Sequence, residues 1–389
     1  MEPRPAPCQL ALPLNSSANS VVRERSRKVL VVRQGGGGGI GRIEVLVMDM
    51  LRGLRKRRQL AYEGMARVPD QGRQASKIAF AVKVLARFLV WRPDVVIVAH
   101  VNHGILALAM RMLHPRARQV FLVYGWDVWF GLSRMRRKAL EQADAIWSIS
   151  EYTTDRLAQA TGIAAERVKL LAPGLTMEQA DALAKPSNGA FRNAGDRWLL
   201  SVARLDAGEQ QKGIDHVLKA VSRLKRQLPD VRYRIVGHGS DLQRLEGIAR
   251  DLGIDDRVEF LGVVNDLELA EIYSSCDVFV LPSGQEGFGM VFIEAMAAGK
   301  PVIAARAGAI PEVVVDGQTG LLVGYGDDAA LADAIARLFA DPELRSRLGS
   351  AGRQRFRERF SFDRVMARFD ELLGELITPW HESVATRET

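Results

Sequence analysis

At 389 residues the chain is long for one domain and comfortable for two, with the 47% hydrophobic and 26% charged balance of an ordinary globular protein. Its two cysteines, Cys8 and Cys276, stand far apart without metal-like spacing, which argues against a disulfide framework and fits a reducing cytoplasm; no apolar run reaches the roughly 18 residues of a membrane-spanning helix. The net charge of +8 is unevenly placed, residues 1–175 carrying 28 Lys and Arg against 13 Asp and Glu and the remainder 26 against 33.

Residues 1–26, with Pro3, Pro5, Pro7 and Pro13 ahead of Asn15-Ser-Ser-Ala-Asn-Ser20, read as a loose tail lacking the order of parts of a signal peptide. A first α/β series follows over residues 27–175. Lys28–Arg33 is a short strand; Gln34 and the glycines Gly35–Gly39 lead into a helix from Ile40 to about Arg58. Residues 75–91 alternate apolar and basic at helical period. Pro93–Ala99, Gln119–Tyr124 and Ala145–Ser150 are strands, the last followed by a helix from about Thr153 to Thr161. The basic runs Arg52–Arg58 and Arg134–Lys138 read either as solvated helix faces or as a surface for an anionic partner, a membrane or an acidic substrate. No nucleic-acid-binding module accompanies them, so nucleic acid is not expected.

Residues 176–196 are polar, contain Pro186-Ser-Asn-Gly189, and are expected to be a linker. A second α/β series occupies residues 197–360. Its strands are Trp198–Val202, Tyr233–Val236, Val258–Leu261, Val278–Leu281 and Pro301–Ala304, with helices at His216–Leu228 and Asp241–Leu252. Residues 361–389 hold an amphipathic helix, Ser361 to about Ile377, and a tail. Strands alternating with helices imply parallel sheets covered on both faces. Ligands in such sheets bind at the carboxyl ends of the strands, so two facing domains put a cleft between them.

The most informative segment is Ser283-Gly-Gln-Glu-Gly-Phe-Gly-Met-Val-Phe-Ile-Glu294, which leaves a buried strand, turns on glycine and opens a helix at Met290. The first backbone N–H groups of that helix lack internal partners and favour phosphate. Glu286 and Glu294 frame it as acceptors for hydroxyl groups. Phosphate donors beside hydroxyl acceptors describe a site for a sugar nucleotide. Arg204, after a strand, and Lys212, opening the next helix, would in isolation be surface charges; opposite that helix they become a phosphate clamp. Gly237-His-Gly239 is a weak glycine turn, and the glycine-rich Gln34–Gly41 segment with Arg42 is either flexible or a backbone-amide cradle.

With these residues in place the chain resembles the retaining glycosyltransferases of the two-Rossmann GT-B architecture called GT4. Their hallmark, glutamate–seven residues–glutamate, is met by Glu286 and Glu294, flanked by Pro282-Ser283 and by Glu294-Ala-Met-Ala-Ala-Gly-Lys-Pro-Val302. Gly308-Ala-Ile-Pro-Glu-Val313 and Asp316-Gly-Gln-Thr-Gly-Leu-Leu-Val323 match as well. The resemblance spans the second domain and is looser in the first. It implies two Rossmann-like parallel α/β domains facing across a cleft, with the C-terminal helix packing back towards the first.

The same resemblance implies that Arg204 and Lys212 bind the donor diphosphate while Glu286 orients the sugar and Glu294 the ribose. Gly287, Phe288, Gly289, Met290, Val291 and Gly237 border the nucleotide, and the stretch at Leu261, Gly262 and Val264 contacts the base. Gly39 and Gly41 approach the acceptor and the donor phosphates. Many members have histidine where this chain has Tyr124, in Tyr124-Gly-Trp-Asp-Val-Trp129; Tyr124 donates a hydrogen bond but carries no charge near neutral pH. His100 and His103 end the preceding strand and are candidates for the same wall. No Asp-x-Asp triplet occurs, so the two cations are expected to serve in place of a metal, and no cofactor is expected. The expected function is retaining transfer from a nucleotide sugar, GDP-mannose being a candidate, to a glycan acceptor, lipid-linked, in surface polysaccharide assembly. The protein would be cytoplasmic and peripheral at the inner membrane face. Two alternatives stay open: a non-catalytic sugar-nucleotide-binding scaffold, and a GT-B sugar-nucleotide epimerase.

Overall fold

Each strand series forms its own six-stranded parallel sheet. The first contains β1 (Arg27–Arg33), β2 (Leu60–Ala66), β3 (Val95–Val98), β4 (Arg118–Val123), β5 (Ala145–Ser148) and β6 (Val168–Leu170), ordered β2-β1-β3-β4-β5-β6. The second contains β7 (Arg197–Val202), β8 (Val231–Val236), β9 (Val258–Gly262), β10 (Val278–Leu281), β11 (Val302–Ala305) and β12 (Gly320–Val323), ordered β12-β11-β10-β7-β8-β9. The structure is a computed structural model and describes residues 26–35, 38–58, 60–67, 74–187, 189–191 and 195–377. The N-terminal tail up to residue 25, Cys8 included, and residues 378–389 therefore lie outside the described residues.

Helices cover both faces of each sheet, which is why the central strands are apolar throughout instead of alternating. Val29–Val32 and Val95–Val98 are buried side by side, in register Val31↔Ile97 and Ile97↔Val120. Val278–Leu281 are buried in the same way in the second sheet. Two of the polar groups in these layers are paired as follows: Ser201 Oγ lies 2.7 Å from the Tyr233 hydroxyl, and the Gln119 side-chain amide donates to the Ala107 carbonyl at 2.9 Å. Both strand orders reverse once, between β1 and β3 and between β7 and β10. A crevice opens at the carboxyl ends of strands at such a reversal. The segments leaving β1, β7 and β10 carry Arg42, Arg204 and Glu286 into one cleft.

The structure adds elements the sequence did not announce: β2, β6, β12 and the helices Gly104–Leu113, Asp328–Ala340 and Pro342–Arg355. The helix after β1 begins at Gly38, inside the glycine run, so the expected glycine loop is shorter than its sequence; Gly36 and Gly37 lie outside the described residues. Residues 176–196, expected to be a linker, contain the helix Met177–Ala184. Thr176 accepts from the Gln179 N–H and Gln179 returns the bond, a capping box that starts a helix in a polar stretch. Leu183 anchors it in the core.

The C-terminal helix Phe362–Ile377 returns to the first domain. Phe369 is fully buried edge-on to Trp147, ring centroids 5.7 Å apart, and Arg58 Nε donates to Asp370 Oδ1 at 2.5 Å. Two more contacts bring the halves together at the cleft. The Glu312 carboxylate accepts the N–H groups of Glu151 (2.8 Å) and Tyr152 (2.7 Å) at the start of the helix Glu151–Thr161, and a Cβ on Gly287 would stand 2.4 Å from the Tyr124 carbonyl oxygen.

Candidate active site

A cleft of about 980 Å³ separates the sheets. Its second-domain wall is built at the ends of β7 and β10. Gly213 has φ +75°, and a Cβ there would lie 2.6 Å from the Pro282 carbonyl oxygen. That close approach seats the turn Ala207–Lys212 against the loop after β10 and brings Lys212 beside Glu286. Lys212 Nζ donates to Glu286 Oε1 at 2.5 Å, and Ser283 Oγ donates to the same oxygen at 3.1 Å. Arg204 lines the same wall, largely exposed and paired with Glu209.

Between these groups starts the helix Met290–Ala297. Its N-cap Gly289 takes φ +90° and supplies no side-chain cap, so the Met290 and Val291 N–H groups, without a partner among the described residues, can receive an anion. Gly287, Phe288, Gly289, Met290 and Val291 line the cleft, as do Gly237, Gly262 and Val264. Gly237 has φ +144°, and a Cβ there would fall 1.8 Å from the Ala203 carbonyl oxygen, so only glycine lets the ends of β7 and β8 meet. Phe288 is mostly an anchor, buried edge-on to Phe360 at 5.5 Å.

Several expectations need correction. Glu294 does not line the cleft; it is 1% exposed, with Oε2 accepting from the Tyr273 hydroxyl at 2.9 Å and Oε1 engaged by Arg42 of the first domain. Leu261 lies behind the wall because adjacent strand residues face opposite sides, and Gly262 reaches the cleft in its place. His103 is buried against Phe80 and lies outside the cleft wall. Burial pushes both His103 and His100 down to about 4, so each is neutral near pH 7. Gly41 sits in the first turn of the helix Gly38–Arg57 and does not line the cleft. Gly39 is described only as backbone of that turn. The amides of Gln34 and Gly35 are not free for phosphate: they donate to the buried Glu44 carboxylate at 2.7 and 3.1 Å. Desolvation raises the Glu44 carboxyl despite those bonds.

The first-domain wall is made of Arg42, Ile43, Tyr124, Trp126, Asp127 and Ile149. The Tyr124 hydroxyl has no partner among the described residues, and burial pushes it well above its ordinary value, so it is a neutral donor. Asp127 Oδ1 accepts the Tyr124 N–H at 3.0 Å, Oδ2 is unpaired among the described residues, and burial raises the carboxyl to about 6. Trp126 is half exposed and packs against Phe130, the rings tilted by 42° with centroids 5.0 Å apart. Sequence reasoning missed Asp127 and Trp126 as wall residues, although they adjoin Tyr124 in the chain. Nothing local in the sequence signals the Arg42–Glu294 pair, whose members are 252 residues apart.

Comparison with known proteins gives the family and the fold. Residues 187–355 match the family model "Glycosyl transferases group 1", and residues 38–179 match "Glycosyltransferase Family 4". A GDP-mannose-dependent alpha-(1-6)-phosphatidylinositol monomannoside mannosyltransferase of Mycolicibacterium smegmatis is 33% identical over 287 residues, 69% of this chain and 74% of that one. A glycogen synthase of Mycobacterium tuberculosis is 30% identical over 77% of this chain and 73% of its own. Among solved structures, a sucrose-phosphate synthase from Thermosynechococcus elongatus superposes with TM-score 0.75 at 22% identity, covering 90% of this chain and 99% of that one. Anabaena HepE in complex with UDP gives 0.73 at 21%, covering 90% and 100%. A shared fold with these structures, family models over both halves and a relative matched over most of its length make the chain a member of the GT4-like, group 1 glycosyltransferases with the GT-B fold.

Proposed function

We propose that this glycosyltransferase moves mannose from GDP-mannose to a lipid-linked glycan acceptor with retention of configuration and without a metal ion, in surface polysaccharide assembly. The observation that carries the reading is the Lys212–Glu286 pair at the uncapped N-terminus of the helix Met290–Ala297, with Arg204 in the same cleft. Expelling a nucleoside diphosphate leaves negative charge on its phosphate while positive charge develops at the anomeric carbon. Two cations and free helix amides, fixed before the reaction, stabilise the leaving charge. In this reading Glu286 orients the donor sugar, with Lys212 holding one of its oxygens. Glu294, held by Arg42 and Tyr273 in this structure, would address the ribose only after Arg42 leaves it, and the Tyr124–Asp127 wall faces the acceptor. The mannosyltransferase among the relatives supports the choice of donor.

A lipid-linked acceptor is supported by the first domain's surface. Ile78, Val82 and Leu89 are exposed along the helix Gln74–Trp91, with Lys77 and Lys83 beside them. Ile105 and Met112 are exposed along the adjacent helix Gly104–Leu113. Among the described residues no helix is long and apolar enough to cross a membrane, so the proposed contact is peripheral, at a cytoplasmic membrane face.

The test is a thermal-shift panel of GDP-, UDP- and ADP-sugars with and without EDTA, followed by kinetics of Lys212→Ala and flotation with anionic liposomes. A donor at a hundred times its dissociation constant stabilises by about 2.7 kcal/mol. GDP-mannose should stabilise most, EDTA should change nothing, and Lys212→Ala should lower kcat about a hundredfold or more. Donor binding without transfer in wild type would favour the scaffold reading, an unchanged kcat in Lys212→Ala would remove Lys212 from the chemistry, and a requirement for Mg²⁺ or Mn²⁺ would end the metal-free reading. Equal flotation with neutral and anionic lipid would remove the membrane part.

A further inference from the structure

In the structure each cation of the cleft sits on a carboxylate: Lys212 on Glu286, Arg204 on Glu209, and Arg42 on Glu294. The first two pairs are local to the second domain. The third crosses the cleft, because Arg42 belongs to the helix that follows β1. The two groups holding Glu294 differ in their freedom to leave. Tyr273 is fully buried and stacked on Phe279, ring centroids 5.7 Å apart, so its hydroxyl is locked on Glu294 Oε2. Arg42 has a 36% exposed side chain and lines the cleft. Its guanidinium is therefore the displaceable donor, and it covers the only oxygen of Glu294 that a cleft ligand could address.

We infer that Arg42 is a donor-site residue supplied by the first domain, occupying on Glu294 the seat of the donor's ribose hydroxyls, so that ribose and guanidinium compete for one carboxylate oxygen. The inference rests on the donor-site reading above and deepens it. A hydroxyl replaces a guanidinium N–H on the carboxylate, and the guanidinium is released beside the amides and cations that face the diphosphate. Hydrogen bonds to charged groups are among the stronger ones, so the exchange has a measurable size.

The experiment is calorimetric titration of wild-type, Arg42→Ala and Arg42→Gln proteins with GDP and 2′,3′-dideoxy-GDP, and with the corresponding uridine pair. The readout is the ratio of dissociation constants, dideoxy over ribo, which cancels whatever Arg42 does for the phosphates. In wild type the hydroxyls must displace Arg42, and the ratio should be close to one. In Arg42→Ala it should rise about tenfold, the size of one hydrogen bond to a charged group. Arg42→Gln keeps a neutral donor on Glu294, should fold even if the alanine variant does not, and should give an intermediate ratio. A ratio that stays the same or falls in the variants overturns the inference. Failure of every nucleotide to bind any of the three proteins is a different result: it counts against the donor site itself, and the inference falls with it.

Discussion

Asp127 sits in the cleft wall with one oxygen fixed by the Tyr124 N–H and the other unpaired among the described residues. Burial holds its carboxyl up to about 6, outweighing the backbone N–H groups at Tyr124 and Gly125 that pull it down. The ordinary value is 3.8, so the folded protein binds this proton more tightly than the unfolded chain. The stability that results is fully present below about pH 4 and is lost as pH rises through 6. Asparagine keeps the bond to Tyr124 N–H without the charge. The melting temperature of Asp127→Asn should therefore rise relative to wild type as the buffer moves from pH 4 to 7.5. His100 and His103, held down at about 4, weaken both proteins alike as pH falls below 6.5, so the difference isolates Asp127. A difference that stays flat across the range would mean that the carboxyl ionises as it does in water.

The turn after β8 shows how an element places the site. Gly237 donates its N–H to the Gly262 carbonyl at 2.8 Å, while the Ala203 N–H donates to the Val236 carbonyl at 3.0 Å, stitching the ends of β7, β8 and β9 together where they line the cleft. Gly237→Ala meets both an unfavourable φ of +144° and a contact of 1.8 Å with the Ala203 carbonyl oxygen, so it should destabilise by about 2–3 kcal/mol and weaken donor binding. Urea unfolding measures the first effect and calorimetry the second; unchanged values for both would mean that the turn is plastic. Strands such as β3 and β10 were legible in the sequence because burial on both faces makes them continuous apolar runs. β2 was not, since it is an edge strand that carries Glu63 and Gly64 among half-buried neighbours. β6, another edge, has only three residues, two of them exposed. At the site, Glu286, Arg204 and Lys212 could be read because each sits on a local strand–turn–helix pattern. Glu44, Asp127 and the Arg42–Glu294 pair owe their roles to burial and to contacts across the fold, which leave no local pattern.

At the scale of the molecule, the two domains are joined through Glu312 and through the C-terminal helix, so unfolding of one half should be felt by the other. Glu312 of the second domain caps a first-domain helix, and Arg355 holds the Glu312 and Val313 carbonyls at 2.6 and 2.9 Å, fixing that segment. The C-terminal helix makes the apolar part of the connection. Phe369, fully buried, closes against Trp147 on β5, while Arg368 donates to the Leu170 carbonyl on β6 at 3.1 Å. The helix is covalently part of the second half and packs on the first, so its burial energy counts toward the first domain only while the chain leading to it is in place. Truncating a buried phenylalanine typically costs about 3–5 kcal/mol through lost transfer energy and the cavity left behind. Phe369→Ala should do more than lower a single melting temperature. By loosening the helix it should uncouple the halves, so that scanning calorimetry resolves two transitions where wild type gives one, the lower belonging to the first domain. One transition displaced as a whole would show that Glu312 and the cleft contacts suffice to keep the two domains cooperative without the helix.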